Sequence, residues 1–212
     1  MYKNVLFDLD GTLTNPSEGI SNGFIYALDK YNIKVSEKEK LYSFIGPPLF
    51  DTFKSIGFTD AIAVEAIAHF RKYYDEVGKL ENEVYENIKV MLETLKSRGY
   101  KLAVATSKPT LFSVEILKHF GLDQYFDFIS GATFDGTLIQ KGDIIKVALD
   151  KLGLNPSETI MIGDRKHDVL GAKEHGLDSI GVLYGFGNRE ELVETGATFI
   201  VKEVLDILDI LK

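Results

Sequence analysis

Short apolar runs alternate with helical stretches along most of the chain, from about residue 84 to residue 212. Apolar runs bounded by glycine and polar residues are typical of buried strands, whereas apolar residues repeating every three or four positions are typical of helices. The predicted strands are Asn4–Phe7, Tyr100–Thr106, Phe126–Ser130, Thr159–Ile162, Ser179–Tyr184 and Ala197–Val201. The predicted helices are Ile88–Arg98, Leu111–Phe120, Ile144–Leu152, Val169–His175, Arg189–Glu194 and Val204–Leu211. Because strands and helices alternate, the pattern predicts an α/β fold whose parallel sheet is covered on both faces.

The segment from residue 15 to residue 83 has a different pattern, with no convincing strand. Four helices are predicted there, namely Glu18–Tyr31, Glu37–Ile45, Leu49–Ile56 and Ala61–Val77. The first strand precedes this segment and the other strands follow it. We therefore expect an α/β core of residues 1–14 and 84–212, interrupted by a helical domain of residues 15–83.

Composition narrows the class of protein. Of the 212 residues 45% are hydrophobic, which excludes a disordered chain, and the formal net charge is −8. That charge argues against a nucleic acid polymer or an anionic membrane as a partner, since clustered lysine and arginine bind both. The absence of cysteine excludes disulfides, thiolate metal sites and cysteine nucleophiles. With no apolar run near ~18 residues and no signal-peptide pattern, we expect a cytoplasmic protein, either monomer or dimer.

Polar residues follow three of the predicted strands at the point where each strand ends. They are Asp8 and Asp10 after the first strand, Thr106 and Ser107 at the second, and Asp164 and Asp168 after the fourth. Open parallel sheets bind ligands outside the carboxyl ends of their strands. We therefore expect four carboxylates and two hydroxyls to lie at one edge of the sheet.

Four carboxylates gathered in this way would repel one another and raise their pKa values. A hard divalent cation removes that conflict, and a set of oxygen ligands favours Mg²⁺. A metal held by carboxylates beside hydroxyl donors suits a phosphate ester as substrate. Asp8 is then a plausible nucleophile, because a carboxylate is already ionised at neutral pH.

The stretch DLDGTLT at Asp8–Thr14 resembles the first signature of the haloacid dehalogenase superfamily of phosphotransferases. The other signatures follow in the family's order, as a strand-ending Thr106, a helix-opening Lys141 and the GDxxxD of Gly163–Asp168. The helical insertion resembles the family's small cap. The resemblance covers essentially the whole chain and is nearest to the phosphoglycolate-phosphatase-like subgroup. It implies a Rossmann-like parallel-sheet core with an inserted four-helix cap domain.

The resemblance also implies a mechanism. Asp8 attacks phosphorus and becomes an aspartyl phosphate, while Asp10 protonates the leaving oxygen and later deprotonates the attacking water. Mg²⁺ is bound by the Asp8 carboxylate, the Asp10 backbone carbonyl and Asp164. This is phosphoryl transfer by positioning and charge neutralisation, with Asp10 as general acid and then general base.

The remaining signatures imply supporting roles. Thr106 and the Ser107 backbone hold the phosphoryl oxygens, and Lys141 neutralises negative charge and orients Asp8. Asp168 positions Lys141 and the water ligands of the metal. Two alternatives stay open, since Lys108 and Lys146 compete for the role of Lys141. Ser107 is also a candidate cap for the helix near Pro109.

Some residues depart from the family's pattern or have no assigned role. Arg165 and Lys166 replace the small residue common after the GD of the last signature, so they either reach a second anionic group of the substrate or line the site entrance. His167 lies in the same GDRKHD stretch, where a solvated histidine is the default interpretation. In the insertion, Gly46 and Pro47 resemble a substrate-facing loop. The GFGNRE stretch at 185–190 lacks a third glycine and is rejected as a dinucleotide loop.

These observations predict a Mg²⁺-dependent phosphomonoester hydrolase acting on a small phosphorylated metabolite, of the phosphoglycolate- or nucleotide-phosphatase type. A phosphomutase of the β-phosphoglucomutase type is the first alternative. A non-catalytic protein that binds a phosphorylated metabolite is the second. Phosphoglycolate, a nucleoside monophosphate, a sugar phosphate and pyrophosphate all fit the sequence as substrates.

Overall fold

The computed structural model describes all 212 residues. Its strands are β1 (Asn4–Phe7), β2 (Thr14–Asn15), β3 (Glu83–Val84), β4 (Lys101–Pro109), β5 (Phe128–Ala132), β6 (Thr159–Gly163), β7 (Asp178–Val182) and β8 (Phe199–Val201). Its α-helices are α1 (Ser17–Asp29), α2 (Leu49–Ser55), α3 (Asp60–Tyr73), α4 (Ile88–Ser97), α5 (Thr110–His119), α6 (Lys141–Leu152), α7 (Lys166–Glu174), α8 (Arg189–Thr195) and α9 (Ile207–Ile210). None of these helices is both long and apolar enough to cross a membrane.

Two compact units divide the chain, one of Met1–Thr14 with Val84–Lys212 and the other of Asn15–Glu83. The first unit, called the core unit below, holds a six-stranded sheet in the order β5-β4-β1-β6-β7-β8. All its strand pairs are parallel, so the predicted α/β class is confirmed. The short strands β2 and β3 pair separately.

The central strand β1 shows why both sheet faces are apolar. Successive side chains of a strand point to opposite faces. Val5 and Phe7 belong to one buried cluster together with Leu95 of α4, and Leu6 belongs to another together with Ile144 of α6. Every residue of β1 is buried, so its side chains on both faces of the sheet are shielded from water. The run Val5–Phe7 is therefore apolar throughout and does not alternate between apolar and polar residues.

Strand register places the predicted site residues at one edge. Phe7, the last residue of β1, lies opposite Val104 of β4 and Ile162 of β6. Beyond these positions β1 ends, whereas β4 stays in register with β5 as far as Thr106 and β6 with β7 as far as Gly163. The residues that follow β1 and those at the ends of its two neighbours therefore lie at the same edge of the sheet.

The second unit is built around aromatic side chains. Phe24 of α1 is fully buried, and its ring centroid lies 5.2 Å from that of Phe44, 5.3 Å from that of Phe53 and 4.9 Å from that of Phe70. Rings at these separations and tilted angles pack favourably beyond their buried area. Three α-helices and one shorter helical segment meet at this cluster.

Several predicted boundaries are wrong. The predicted helix Glu37–Ile45 is a 3₁₀ helix, Lys38–Phe44, so the helical unit has three α-helices rather than four. The predicted helix Ala61–Val77 is α-helical only as far as Tyr73, and Tyr74–Gly78 forms a π-helical turn. The C-terminal helix begins as a 3₁₀ turn, Val204–Asp206, where the Asp206 carboxylate accepts hydrogen bonds from the backbone of Lys202 and Glu203. Short polar segments of this kind form side-chain to backbone bonds that compete with the α-helix.

Helix α4 provides a direct test of which face supports the core unit. Leu95 is fully buried and Val90 on the same helix is 51% exposed. We expect Leu95→Ala to lower the free energy of unfolding by about 2–5 kcal/mol, because it leaves a cavity in the larger apolar cluster. Val90→Ala should change it by less than about 0.5 kcal/mol. Urea denaturation followed by circular dichroism measures both, and equal losses would contradict the assigned orientation of α4.

Candidate active site

Asp8 leaves the end of β1 as the first residue beyond the sheet. Its backbone N–H donates to the carbonyl of Ile162 at 2.9 Å, which continues the pairing with β6 by one residue. Its Oδ1 accepts a hydrogen bond from the N–H of Leu9 at 2.8 Å. The Asp8 carboxylate is therefore oriented by its own loop, and Oδ2 takes no part in that bond.

Lys141 joins two of the predicted acidic residues. Its Nζ lies 2.9 Å from Oδ1 of Asp8 and 2.8 Å from Oδ1 of Asp168, and it donates to the carbonyl of Ala105 at 3.0 Å. Burial alone would lower the pKa of Lys141, but the charges of Asp168 and Asp8 outweigh it and raise the pKa above its ordinary value. Lys141 is the first residue of α6, three residues before the predicted start of that helix.

Asp164 and Asp168 are both almost fully buried. The N–H of Phe186 donates to Oδ2 of Asp164 at 2.7 Å, and the N–H of Arg165 donates to Oδ2 of Asp168 at 3.1 Å. Burial and the negative charges of Asp168 and Asp8 raise the pKa of Asp164 well above its usual range. Burial also raises the pKa of Asp168 to about 6, although the charge of Lys141 opposes that rise.

The carboxylates of Asp8, Asp164 and Asp168 form a group able to bind a cation. One oxygen of each lies within 4.8 Å of the others. The four carboxylates of the site face two ammonium groups, those of Lys141 and Lys108, so two formal negative charges are left over. This donor set consists of oxygen alone, which suits a hard divalent cation.

A buried oxygen without a hydrogen-bond partner supports the same conclusion. Oδ1 of Asp164 is buried and accepts no hydrogen bond. An unpaired buried carboxylate oxygen costs free energy that a bound cation would remove. The residues present therefore fit Mg²⁺, and the set within reach includes the Asp168 carboxylate as well as the predicted Asp8 and Asp164.

Asp10 has a different partner from Asp8. Its Oδ2 lies 2.6 Å from Nζ of Lys108, and the side chains are 15% and 6% exposed. Burial raises the pKa of Asp10, and the adjacent Lys108 opposes that rise. Of the two competitors of Lys141, Lys108 thus lies at the site, whereas Lys146 pairs with Asp150 on the exposed side of α6.

Thr106 and Ser107 lie where β4 leaves its regular pairing. The register between β4 and β5 shifts between Thr106 and Pro109. Thr106 is 1% exposed, and its Oγ1 accepts a hydrogen bond from the N–H of Lys108 at 3.2 Å. The capping role considered for Ser107 is wrong, because α5 begins at Thr110 after Pro109 and has no side-chain cap. Pro109 occupies the N-cap position itself, and proline has no side-chain oxygen that could accept a hydrogen bond there.

Arg165 has a carboxylate partner within the core unit. Its Nε donates to Oε1 of Glu191 in α8 at 3.0 Å, and the N–H of Lys166 donates to the same oxygen at 2.7 Å. Burial alone would raise the pKa of Glu191, but these two interactions lower it. The pKa of the half-buried His167 is lowered by burial and then by the charges of Arg165 and Lys166.

The two predicted residues of the insertion lie in the helical unit. Gly46 and Pro47 connect the 3₁₀ helix Lys38–Phe44 to α2, and Gly46 adopts a positive φ of 105°. A positive φ of this kind favours glycine. Their predicted contact with substrate stays a prediction.

Sequence reasoning missed the role of the GFG stretch. A Cβ at Gly185 would overlap the side chain of Asp164, and one at Gly187 would overlap its backbone carbonyl, so both glycines allow the chain to pass close to Asp164. Between them the Phe186 N–H binds Asp164 directly. The two glycines flanking Phe186 were the available signal, because paired glycines often mark a close backbone approach.

Comparison with known proteins agrees with this geometry. Residues 5–182 match the family model of haloacid dehalogenase-like hydrolases. A 5′-nucleotidase from Pseudomonas aeruginosa is 46% identical over 192 residues, which cover 90% of this chain and 87% of the relative. The tyrosine-protein kinase PtkA from Mycobacterium tuberculosis is 38% identical over 196 residues, which cover 92% of this chain and 67% of the relative.

A solved structure gives a similar result for the fold. The crystal structure of a predicted phosphatase from Clostridium acetobutylicum superimposes with a TM-score of 0.96 at 46% identity. The superposition covers 100% of this chain and 98% of that one. The similarity therefore includes the residues of both units.

Gly11 tests how tightly the loop after β1 packs against Asp164. Gly11 has a φ of +79°, and an added Cβ would overlap the Asp164 carboxylate. We expect Gly11→Ala to lower the free energy of unfolding by about 2–5 kcal/mol, from backbone strain and from overpacking together. The control is Gly99→Ala, where φ is +83° and nothing lies within 4 Å of the added atom. That control should lose only the strain, about 1–2 kcal/mol by urea denaturation. Similar losses in the two variants would show that the contact with Asp164 is unimportant.

Proposed function

The chain belongs to the haloacid dehalogenase-like hydrolases, and from that premise we propose that it is a Mg²⁺-dependent phosphatase of small phosphorylated metabolites. The observation that carries this proposal is the buried contact of Lys141 with Asp8 and Asp168 at the end of the central strand. A lysine held there keeps the nucleophilic carboxylate in one orientation and attracts an anionic substrate. The reaction is hydrolysis of a phosphomonoester through an aspartyl phosphate.

In the first step an oxygen of Asp8 attacks phosphorus. Oδ1 is bound by Leu9 and Lys141, which leaves Oδ2 for the attack. A bond forms between this oxygen and phosphorus, and the bond from phosphorus to the ester oxygen breaks. Asp10 gives its proton to that departing oxygen, so the product leaves as a neutral alcohol.

In the second step a water molecule attacks phosphorus on the opposite side from Asp8. Asp10, now ionised, takes a proton from this water. The bond between phosphorus and the Asp8 oxygen breaks, which restores the carboxylate and releases inorganic phosphate. Thr106, the Ser107 backbone N–H and Lys141 hold the phosphoryl oxygens through both steps.

We assign the metal to Asp8, the Asp10 backbone carbonyl and Asp164. When bound, Mg²⁺ neutralises charge on the phosphoryl group and polarises its oxygens. Asp168 keeps Lys141 in place, since its Oδ1 lies 2.8 Å from the lysine Nζ. The group of oxygen donors formed by Asp8, Asp164 and Asp168, and the buried Oδ1 of Asp164 that accepts no hydrogen bond, support this assignment.

For the substrate we favour a nucleoside 5′-monophosphate, on the basis of the 46% identical 5′-nucleotidase. Phosphoglycolate, sugar phosphates and pyrophosphate are the alternatives to be screened beside it. The specificity residues are placed in the helical unit, with Gly46 and Pro47 as its predicted contacts. The proposed location is the cytoplasm, since charged phosphate esters do not cross a membrane unaided.

The second candidate function is transfer of the phosphoryl group to an acceptor other than water. PtkA is named as a tyrosine-protein kinase and is 38% identical to this chain, and the family also contains phosphomutases. We propose that transfer to water and transfer to another acceptor would use the same nucleophile in this chain and would differ in what attacks the phosphoenzyme. Phosphate release from a single monoester, without bisphosphate or protein acceptor, favours the phosphatase. Tight binding of monoesters without turnover would favour a non-catalytic binding protein.

Asp8→Asn tests the nucleophile. We expect the variant to lose phosphate release from nucleoside monophosphates by at least about 1,000-fold, because an amide cannot form the phosphoenzyme. Asp150→Asn, an exposed carboxylate on α6, should leave the rate unchanged. Phosphate release is measured over a panel of monoesters, with intact-protein mass spectrometry to detect the phosphoenzyme. Full turnover by the Asp8 variant would rule out the covalent mechanism.

Metal binding is tested by stability in addition to activity. Mg²⁺ at about 100 times its dissociation constant should raise the melting temperature by about 5–10 °C, since it binds the folded protein alone. Asp164→Asn should abolish most of this rise, whereas Asp209→Asn, an exposed carboxylate, should retain it. EDTA should abolish wild-type phosphate release. An undiminished rise in the Asp164 variant would place the metal elsewhere.

A further inference from the structure

The two lysines at the site serve different carboxylates. Lys141 binds Asp8 and Asp168, and Lys108 binds Asp10. In the proposed mechanism Asp8 forms the covalent bond and Asp10 moves the proton. We propose that Lys108 is the positioning residue of the proton-transfer step, holding Asp10 by one oxygen so that the other transfers the proton. This inference rests on the proposed phosphatase function.

The contact itself is short and protected from water. Nζ of Lys108 lies 2.6 Å from Oδ2 of Asp10, with the two side chains only 6% and 15% exposed. Oδ1 of Asp10 is buried and has no hydrogen-bond partner. One oxygen of the carboxylate is thus anchored, and the other is shielded from water in this structure and has no competing hydrogen bond. We assign the proton transfer to this second oxygen, toward the ester oxygen in the first step and from water in the second.

The backbone that carries Lys108 is rigid. Its N–H donates to Oγ1 of Thr106 at 3.2 Å, and Pro109 follows it. The backbone carbonyl of Lys108 packs closely against Gly131 of β5. A Cβ added to Gly131 would lie 2.5 Å from the oxygen of that carbonyl. The fixed backbone sets where the lysine side chain begins, and the 2.6 Å contact between two side chains of low exposure holds its ammonium group at Asp10.

A phosphate-binding role for Lys108 and a role through Asp10 predict different kinetics. A lysine that contacts the phosphoryl group accelerates the loss of every leaving group. A lysine that acts through Asp10 matters only where the leaving oxygen needs a proton. An alkoxide leaving group needs one, whereas 4-nitrophenolate is a far weaker base and leaves without protonation.

The experiment compares kcat/KM for a nucleoside 5′-monophosphate and for 4-nitrophenyl phosphate. This ratio covers the steps up to departure of the leaving group, so hydrolysis of the phosphoenzyme does not enter it. We expect Lys108→Met to lower kcat/KM for the nucleotide about 100-fold and for the aryl ester less than about 5-fold. Asp10→Asn should show the same contrast, and Lys146→Met, a surface lysine on α6, should match the wild type.

The double variant Asp10→Asn/Lys108→Met completes a double-mutant cycle, which measures whether the two residues act through one interaction. If Lys108 acts through Asp10, the double variant is no slower on the nucleotide than Asp10→Asn alone, because the two changes remove one interaction. Lys108→Arg keeps the charge and should recover part of the nucleotide rate. Recovery by arginine distinguishes positioning from a loss of folding, which melting curves of each variant check.

Three outcomes would overturn the assignment. Equal losses of kcat/KM on the two esters would place Lys108 on the phosphoryl group. Multiplying losses in the double variant would show that Lys108 and Asp10 act independently. A wild-type protein that releases phosphate from neither ester would overturn the proposed function, and this assignment with it.

Discussion

The buried ammonium group of Lys141 is the interaction on which the site depends. It lies among Asp8 after β1, Asp168 in α7 and the carbonyl of Ala105 in β4. A charge removed from water is tolerated only when it is paired and hydrogen-bonded. Any displacement of β1, β4 or α7 would therefore leave a buried charge without its partner. The same ion pairs that orient Asp8, the proposed nucleophile, thus hold these segments of the chain in place.

Local charge and overall charge have different consequences in this molecule. The net charge of −8 counts the whole chain, and most of its charged side chains are exposed to solvent and salt, which screen them. At the edge of the sheet, burial removes that screening and raises the pKa values of Asp10, Asp164 and Asp168. An acidic protein can therefore bind an anionic substrate, provided that a divalent cation and two lysines offset the carboxylates that surround it. The prediction against nucleic acid polymers and anionic membranes as partners depends on the overall charge of the chain and not on the charges of the site.

The sequence predicts those parts of the fold and site that depend on local pattern. Burial of β1 on both faces produces an apolar run, and the end of that run marks where Asp8 leaves the sheet. Contacts between distant segments have no such signal. The pairing of Lys108 with Asp10, and of Arg165 with Glu191, depends on the register of strands and the direction of helices that only packing determines. Likewise, the apolar spacing of residues 37–45 suits an α-helix, and the structure forms a 3₁₀ helix there.

The pairing of Arg165 with Glu191 limits how the site can recognise its substrate. An arginine next to the carboxylates proposed to bind the metal would be the obvious partner for a second anionic group. Glu191, however, accepts from both the Arg165 side chain and the Lys166 backbone, so it neutralises the arginine and anchors the start of α7 at once. Recruiting Arg165 to a substrate would leave a half-buried Glu191 without its ion pair, at a cost that the new contact must exceed. This balance disfavours substrates that need a second phosphate site in the core unit. It agrees better with a monoester phosphatase than with a phosphomutase, whose intermediate carries two phosphates.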